Sequence, residues 1–75
     1  PTSNPYPVPT RLLKKTVPCM RGNDVKWLQW ELGMEKIDGI FGNDTKNALI
    51  AYQKAHGLLV DGKAGSATRY AMLND

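Results

Sequence analysis

The chain is poor in sulfur and imidazole, with one cysteine and one histidine in 75 residues. A single cysteine excludes both a disulfide framework and a thiolate zinc site. A single histidine excludes most metallohydrolase ligand sets and leaves any imidazole-based catalysis to His56 alone. No apolar run approaches the ~18 residues of a membrane-spanning helix, and no signal peptide is visible. The chain begins at Pro1 rather than Met and reads as a module excised from a longer protein, so a missing targeting signal says nothing about the parent. Nor is there a strong charge of one sign. Ten Lys and Arg against seven Asp and Glu give +3, and the densest clusters, Arg11 to Lys15 and Met20-Arg21, fall short of a polybasic tract. The lean toward anionic partners is mild, and a solvated surface is the plainer reading.

What is present is globular composition, 41% hydrophobic and 23% charged. A chain this short makes one small domain and buries only ~60% of its unfolded surface, which leaves little for a deep enzyme cleft. A module without catalytic residues, metal or cofactor is expected.

Residues 1–11 form a proline-rich arm, extended and linker-like, in which Tyr6 to Pro9 could still pack. Residues 12–75 form the domain. Gly22-Asn23-Asp24 predicts a helix start, with Asn23 as N-cap and Asp24 in the first turn, and Gly33 predicts its end. A second helix follows Gly42-Asn43, capped by Asn43 or Asp44, and continues through His56 to Gly57. A third runs from Ala67 to about Leu73. The expected fold is all-α, a small three-helix bundle with tight glycine turns.

An internal repeat is the clearest signal. Ile37-Asp38-Gly39-Ile40-Phe41-Gly42-Asn43-Asp44-Thr45 lies on Val60-Asp61-Gly62-Lys63-Ala64-Gly65-Ser66-Ala67-Thr68 at a constant offset of 23. Each copy is one turn feeding one helix, with the glycine after Asp expected at positive φ. Asp38 and Asp61 are therefore read as turn residues bonding backbone amides rather than as a paired acid mechanism. Calcium is excluded: Met34, Lys36, Gly57 and Leu59 would fill the first and third loop positions, and none offers a side-chain oxygen. Cys19 reads as a small apolar packing residue. His56 reads as a packed or capping residue beside Tyr52.

Helical periodicity puts Val25, Leu28, Gln29 and Leu32 on one face of the first helix, and Trp27 and Trp30 on the other. Two tryptophans on a polar face signal a contact. Either they form a platform for a sugar ring, or the arm or a neighbouring domain covers them.

The set Asp24-Val25, Leu28-Gln29, Leu32, Ile37-Asp38-Gly39-Ile40-Phe41-Gly42, Thr45, Ala48, Tyr52-Gln53, Gly57-Leu58, Val60-Asp61-Gly62, Gly65 and Thr68 resembles the peptidoglycan-binding domain 1 family over about residues 12 to 73. One departure is the stretch Gly33 to Lys36, a few residues shorter than usual before Ile37. The resemblance implies a non-catalytic peptidoglycan-binding module that tethers a wall-lytic enzyme, such as an N-acetylmuramoyl-L-alanine amidase or a peptidase, to its substrate. It implies an extracellular or wall location and, as partners, peptidoglycan and a catalytic domain of the same parent chain. A monomer without nucleic-acid or membrane partners is expected. Two rivals remain, a structural domain docking on its own catalytic partner through Trp27 and Trp30, and a basic helical DNA binder. Glycine-flanked turns expose backbone N–H groups at helix starts. The candidate binding residues are accordingly Gly39, Ile40, Phe41, Gly42 and Asn43, with Lys46 or Tyr70 at the rim and Trp27 and Trp30 as the aromatic option. Phe41 is equally a core candidate.

Overall fold

The computed structural model of the chain describes residues 4–74; Pro1, Thr2 and Ser3 of the predicted arm, and Asp75, lie outside the described residues. The fold is all-α. Helix α1 spans Asn23–Glu31, α2 spans Asn43–Ala55 and α3 spans Ser66–Leu73. Among the described residues the only β features are two isolated antiparallel bridges, Leu13 with Ala64 and Arg21 with Ile40. They tie the segment before α1 to the residues that follow each Asp-Gly pair.

Each helix opens on the same sequence pattern, and each is entered from a glycine. Gly22-Asn23-Asp24-Val25-Lys26, Gly42-Asn43-Asp44-Thr45-Lys46 and Gly65-Ser66-Ala67-Thr68-Arg69 begin α1, α2 and α3. The carbonyls of Gly22, Gly42 and Gly65 accept from the amides of Lys26, Lys46 and Arg69 at 3.3, 3.1 and 3.0 Å. The expected caps are thus corrected by one position: glycine is the N-cap of every helix, and none has a side-chain cap bond. Asn23 and Asn43 enter one residue too late to cap. Asp24 is held instead by Arg11, whose Nε lies 2.6 Å from its carboxylate. Helix α2 ends at Ala55, with His56 as C-cap rather than as a helical residue.

The C-termini of α1 and α2 close identically. Met34 N–H bonds Gln29 O and Gly33 N–H bonds Trp30 O, while Leu58 N–H bonds Gln53 O and Gly57 N–H bonds Lys54 O. Both are Schellman motifs, which satisfy the orphan carbonyls of a helix end. The residue accepting the bond that spans five residues is a glutamine each time.

The core gathers Leu13, Val25, Trp27, Leu28, Phe41, Leu49, Ala64 and Met72, with Tyr6, Met20, Leu32 and Tyr52 packed against it. Trp27 belongs to this core at 1% exposure, which corrects the expectation that it faces outward with Trp30. The arm also packs on this helix. Asn4 Nδ2 donates to Trp27 O and to Glu31 Oε2, both at 3.0 Å, and Tyr6 meets Trp30 edge-on at 6.2 Å between centroids. Helix α1 is therefore covered on both sides, and a single-face reading of its periodicity underestimates what it buries. Further along, Pro9 is buried, and Arg69 Nη1 donates to Pro9 O and Arg11 O at 3.3 and 2.6 Å.

Candidate functional site

The site is built from one buried glutamine. Gln29 sits in the last turn of α1 at 1% exposure. Its Nε2 donates to Asp38 Oδ1, Ile40 O and Thr45 Oγ1 at 3.0, 3.2 and 3.0 Å, and its Oε1 accepts from Gly39 N–H at 2.9 Å. A polar side chain this buried must be fully bonded to be tolerated. Here its bonds join α1, the Asp-Gly turn and the first turn of α2 into one unit. Asp38 Oδ1 also accepts from Ile40 N–H at 3.0 Å, the backbone role expected of it.

The second copy repeats this atom for atom. Gln53 Nε2 donates to Asp61 Oδ1, Lys63 O and Thr68 Oγ1 at 2.9, 3.0 and 3.3 Å, and Gly62 N–H donates to Gln53 Oε1 at 3.0 Å. Lys63 N–H in turn bonds Asp61 Oδ1 at 2.9 Å. Donors on both carboxylates favour their ionised forms. Asp38 lies below its usual carboxylate range chiefly because Gln29 donates to it, then because Ile40 N–H does. Asp61 is lowered first by Lys63 N–H and then by Gln53.

Both turn glycines have positive φ, 74° at Gly39 and 69° at Gly62, as the Asp-Gly pairs predict. Their surroundings differ. A Cβ at Gly39 would meet the Gly22 carbonyl oxygen at 3.1 Å and Lys26 methylenes at 3.2 Å, whereas at Gly62 the nearest atoms are Lys46 methylenes at 3.4 and 3.5 Å. The aliphatic stem of the fourth helical residue thus covers the turn glycine in both copies.

A cleft of about 180 Å³ opens beside the first turn, lined by Gln29, Met34, Lys36, Asp38, Ile40, Gly42, Asn43, Asp44 and Thr45. Of the predicted binding residues, the fold brings Ile40, Gly42 and Asn43 to this cleft, and Gly39 is buried in the turn beneath it. Phe41 is fully buried core. Lys46 lies over Gly62 at the second turn, and Tyr70, at 69% exposure on α3, is absent from the cleft lining. The expected rim is thereby corrected: Met34, Lys36 and Asp44 occupy it. Trp30 is 39% exposed beside Tyr6, and Trp27 has no exposed face to offer a ring.

The two glutamines are the residues that sequence reasoning placed without a role. The signal was available as Gln-x-x-x-Gly ahead of each Asp-Gly pair, with Thr seven residues after each Asp. Elsewhere, His56 stacks on Tyr52 with ring centroids 3.9 Å apart, and its Nδ1 lies 3.0 Å from Tyr52 O. Among the described residues, no group of three or more His, Cys, Asp or Glu could hold a metal ion, and no helix is long and apolar enough to cross a membrane.

Residues 21–72 match the sequence model of the peptidoglycan binding domain family, a span that contains both glutamine-locked turns and the cleft. The chain is also 35% identical, over 75 aligned residues, to the N-acetylmuramoyl-L-alanine amidase CwlL of Bacillus licheniformis. That alignment covers 85% of this chain and 21% of the amidase, so the chain spans about a fifth of that relative. No solved structure matches the chain.

Proposed function

We infer that this chain, which belongs to the peptidoglycan binding domain family, is a non-catalytic module that holds a wall-lytic enzyme on its insoluble substrate. Family membership carries the reading, because the matched residues 21–72 are the ones that build the two locked turns. A parent of the N-acetylmuramoyl-L-alanine amidase type is supported by the relative of that name, and a module of such a parent works at the cell wall. The binding surface we assign is the cleft at the first turn, where Ile40, Gly42 and Asn43 meet Met34, Lys36 and Asp44. Gly39 and Phe41 serve it from below, as turn and core. The module acts as a monomer and does not bind nucleic acid, the latter reading supported by its scattered cations and by the carboxylates of the cleft beside the first turn.

The physical gain is effective concentration. A linked binder converts cleavage from a diffusive encounter into a local event, and this needs only weak affinity. Tight anchoring would hold the enzyme at one spot. The test is co-sedimentation of the purified module with sacculi, beside a DNA mobility shift at moderate salt. Retention on sacculi without a DNA shift is expected. Failure to pellet with sacculi refutes the assignment.

A further inference from the structure

We propose that the cleft at the first turn takes the amine of a stem-peptide residue, and that the module reads the peptide rather than the glycan of its wall ligand. The inference rests on the peptidoglycan-binding reading and narrows it to one chemical component. Size is the first observation. At about 180 Å³ the cleft falls below the ~300–1,000 Å³ that encloses a whole small-molecule ligand. It has room for one amino-acid residue, and a disaccharide would stand mostly outside it.

Lining is the second. Sugar rings are held by aromatic faces, and no aromatic side chain lines this cleft. The aromatics lie elsewhere: Trp27 and Phe41 in the core, Trp30 beside Tyr6, and Tyr70 exposed on α3 outside the cleft lining. Met34 and Ile40 offer instead an apolar wall suited to an aliphatic chain.

Charge is the third. The chain as a whole is cationic at +3, yet the cleft carries two carboxylates, Asp38 and Asp44, against the single ammonium of Lys36. Lys36 Nζ lies 3.7 Å from Asp38 Oδ2. Asp44 makes no ion pair among the described residues. A local acidic site on a basic domain selects for a cation, and in peptidoglycan whose sugars are fully N-acetylated that cation is the amine of the peptide. The diamino acid of the stem presents that amine at the end of an aliphatic chain, the shape that Met34, Ile40 and Asp44 together accept. Once cross-linked, the same nitrogen becomes a neutral amide, so the cleft prefers stems that are not cross-linked.

The experiment follows backbone amide shifts of the labelled module during titration with three probes. These are a stem tripeptide ending in a diamino acid with a free amine, the same peptide with that amine acetylated, and a peptide-free GlcNAc–MurNAc disaccharide. Shifts at Ile40, Gly42, Asn43 and Asp44 with the free-amine peptide alone are expected. Asp44→Asn, whose fold is checked from the same spectra, should weaken that binding two- to fivefold, the scale of one exposed ion pair. Lys36→Ala, which frees Asp38 from its ion pair, should tighten it. Equal binding of the acetylated peptide, or cleft shifts with the disaccharide, overturns the proposal. Sedimentation with sacculi run in parallel separates the two failures. If the module pellets while the free-amine peptide leaves the cleft amides unmoved, the amine proposal falls and wall binding stands. If it does not pellet, both fall.

Discussion

Replacing Gln53 by leucine should bring the domain to the edge of unfolding, although the substitution changes side-chain volume little and occurs at an apolar-looking helix position. Gln53 is the cleaner of the two glutamines to test because it does not line the cleft. The change removes its donors to Asp61, Lys63 O and Thr68, and the acceptor of the buried Gly62 N–H. A buried donor left unpaired costs about 1–3 kcal/mol, and each lost bond about 0.5–1.5 kcal/mol net. Asp61 is exposed and recovers water, so its bond counts at the low end. The sum is about 3–5 kcal/mol. A 75-residue domain holds roughly 4–11 kcal/mol in total at ~0.05–0.15 kcal/mol per residue.

Urea unfolding followed by tryptophan fluorescence measures this directly, since Trp27 is buried and reports the core. With m near ~1 kcal/mol/M for a domain of this size, the midpoint should fall by about 3 M or more. Gln53→Glu gives a second signature. Its carboxylate would face the Asp61 carboxylate and the Lys63 carbonyl, so it should be worse than leucine at neutral pH. Burial among acceptors raises its folded pKa above the unfolded value, so stability should return as pH falls through that folded pKa. A leucine variant destabilised by less than ~1 kcal/mol would mean that Gln53 does not lock the turn.

Gly39→Ala should cost more than Gly62→Ala. Both pay about 1–2 kcal/mol for a left-handed alanine, but only Gly39 also forces a Cβ against a backbone oxygen, that of Gly22; equal losses in melting temperature would contradict the packing described. Acid should unfold the domain through its carboxylates. Asp24, Asp38 and Asp61 are lowered by Arg11, by Gln29 and by Lys63 N–H respectively, so their stabilisation is complete above the unfolded value near ~3.9 and is lost as pH falls through their folded values. Asp38→Asn and Asp61→Asn keep the accepting oxygen but not the charge, and should flatten the acid limb of a melting-temperature profile; an unchanged limb in the double variant would assign acid lability elsewhere. The isolated module should release neither amino groups nor reducing ends from cell walls, and turnover abolished by His56→Ala or Asp38→Asn would overturn the non-catalytic reading.

Helix number, glycine stops and positive-φ turns were legible because each has a local cause. Periodicity marks a buried stripe, and Asp-Gly marks a turn whatever surrounds it. Periodicity put Trp27 outward with Trp30 and left open what covers them; the structure makes Trp27 core, while the arm, some twenty residues away in sequence, bonds the Trp27 carbonyl through Asn4 and meets Trp30 through Tyr6. The caps shifted by one residue for a related reason. Asn and Asp favour the N-cap locally, but Asp24 is drawn to Arg11, a tertiary partner. The cleft takes in Ile40, Gly42 and Asn43, which the repeat singled out, and leaves out Lys46 and Tyr70, whose place depends on where each helix points. The role of Gln29 was hidden by a habit of reading a core-face polar residue as tolerated rather than required. A buried glutamine must find four partners, and in both copies it finds them in the turn that follows.

The two copies also differ in what surrounds their turns, and those differences build the cleft beside the first. Their locks are equivalent, so the difference must lie in what the locks display. Gly33 is separated from Asp38 by four residues and Gly57 from Asp61 by three. The longer loop supplies Met34 and Lys36, two of the cleft's rim residues. At the following helix start, Asp44 in the first copy corresponds to Ala67 in the second, which removes the unpaired carboxylate. Phe41 in the first copy fills core space that Ala64 leaves to Leu13, whose amide and carbonyl bond Ala64 at 3.4 and 2.7 Å. Both turns fasten the segment before α1 to the bundle, the first through Gly22 N–H to Gly39 O at 3.1 Å and Phe41 N–H to Met20 O at 2.9 Å, so the copies differ in the loop and helix-start residues beside each turn. If the first turn is the unit that recognises the ligand, Asp44→Ala should weaken binding of the free-amine stem peptide about two- to fivefold, the scale of one exposed ion pair, without touching either lock.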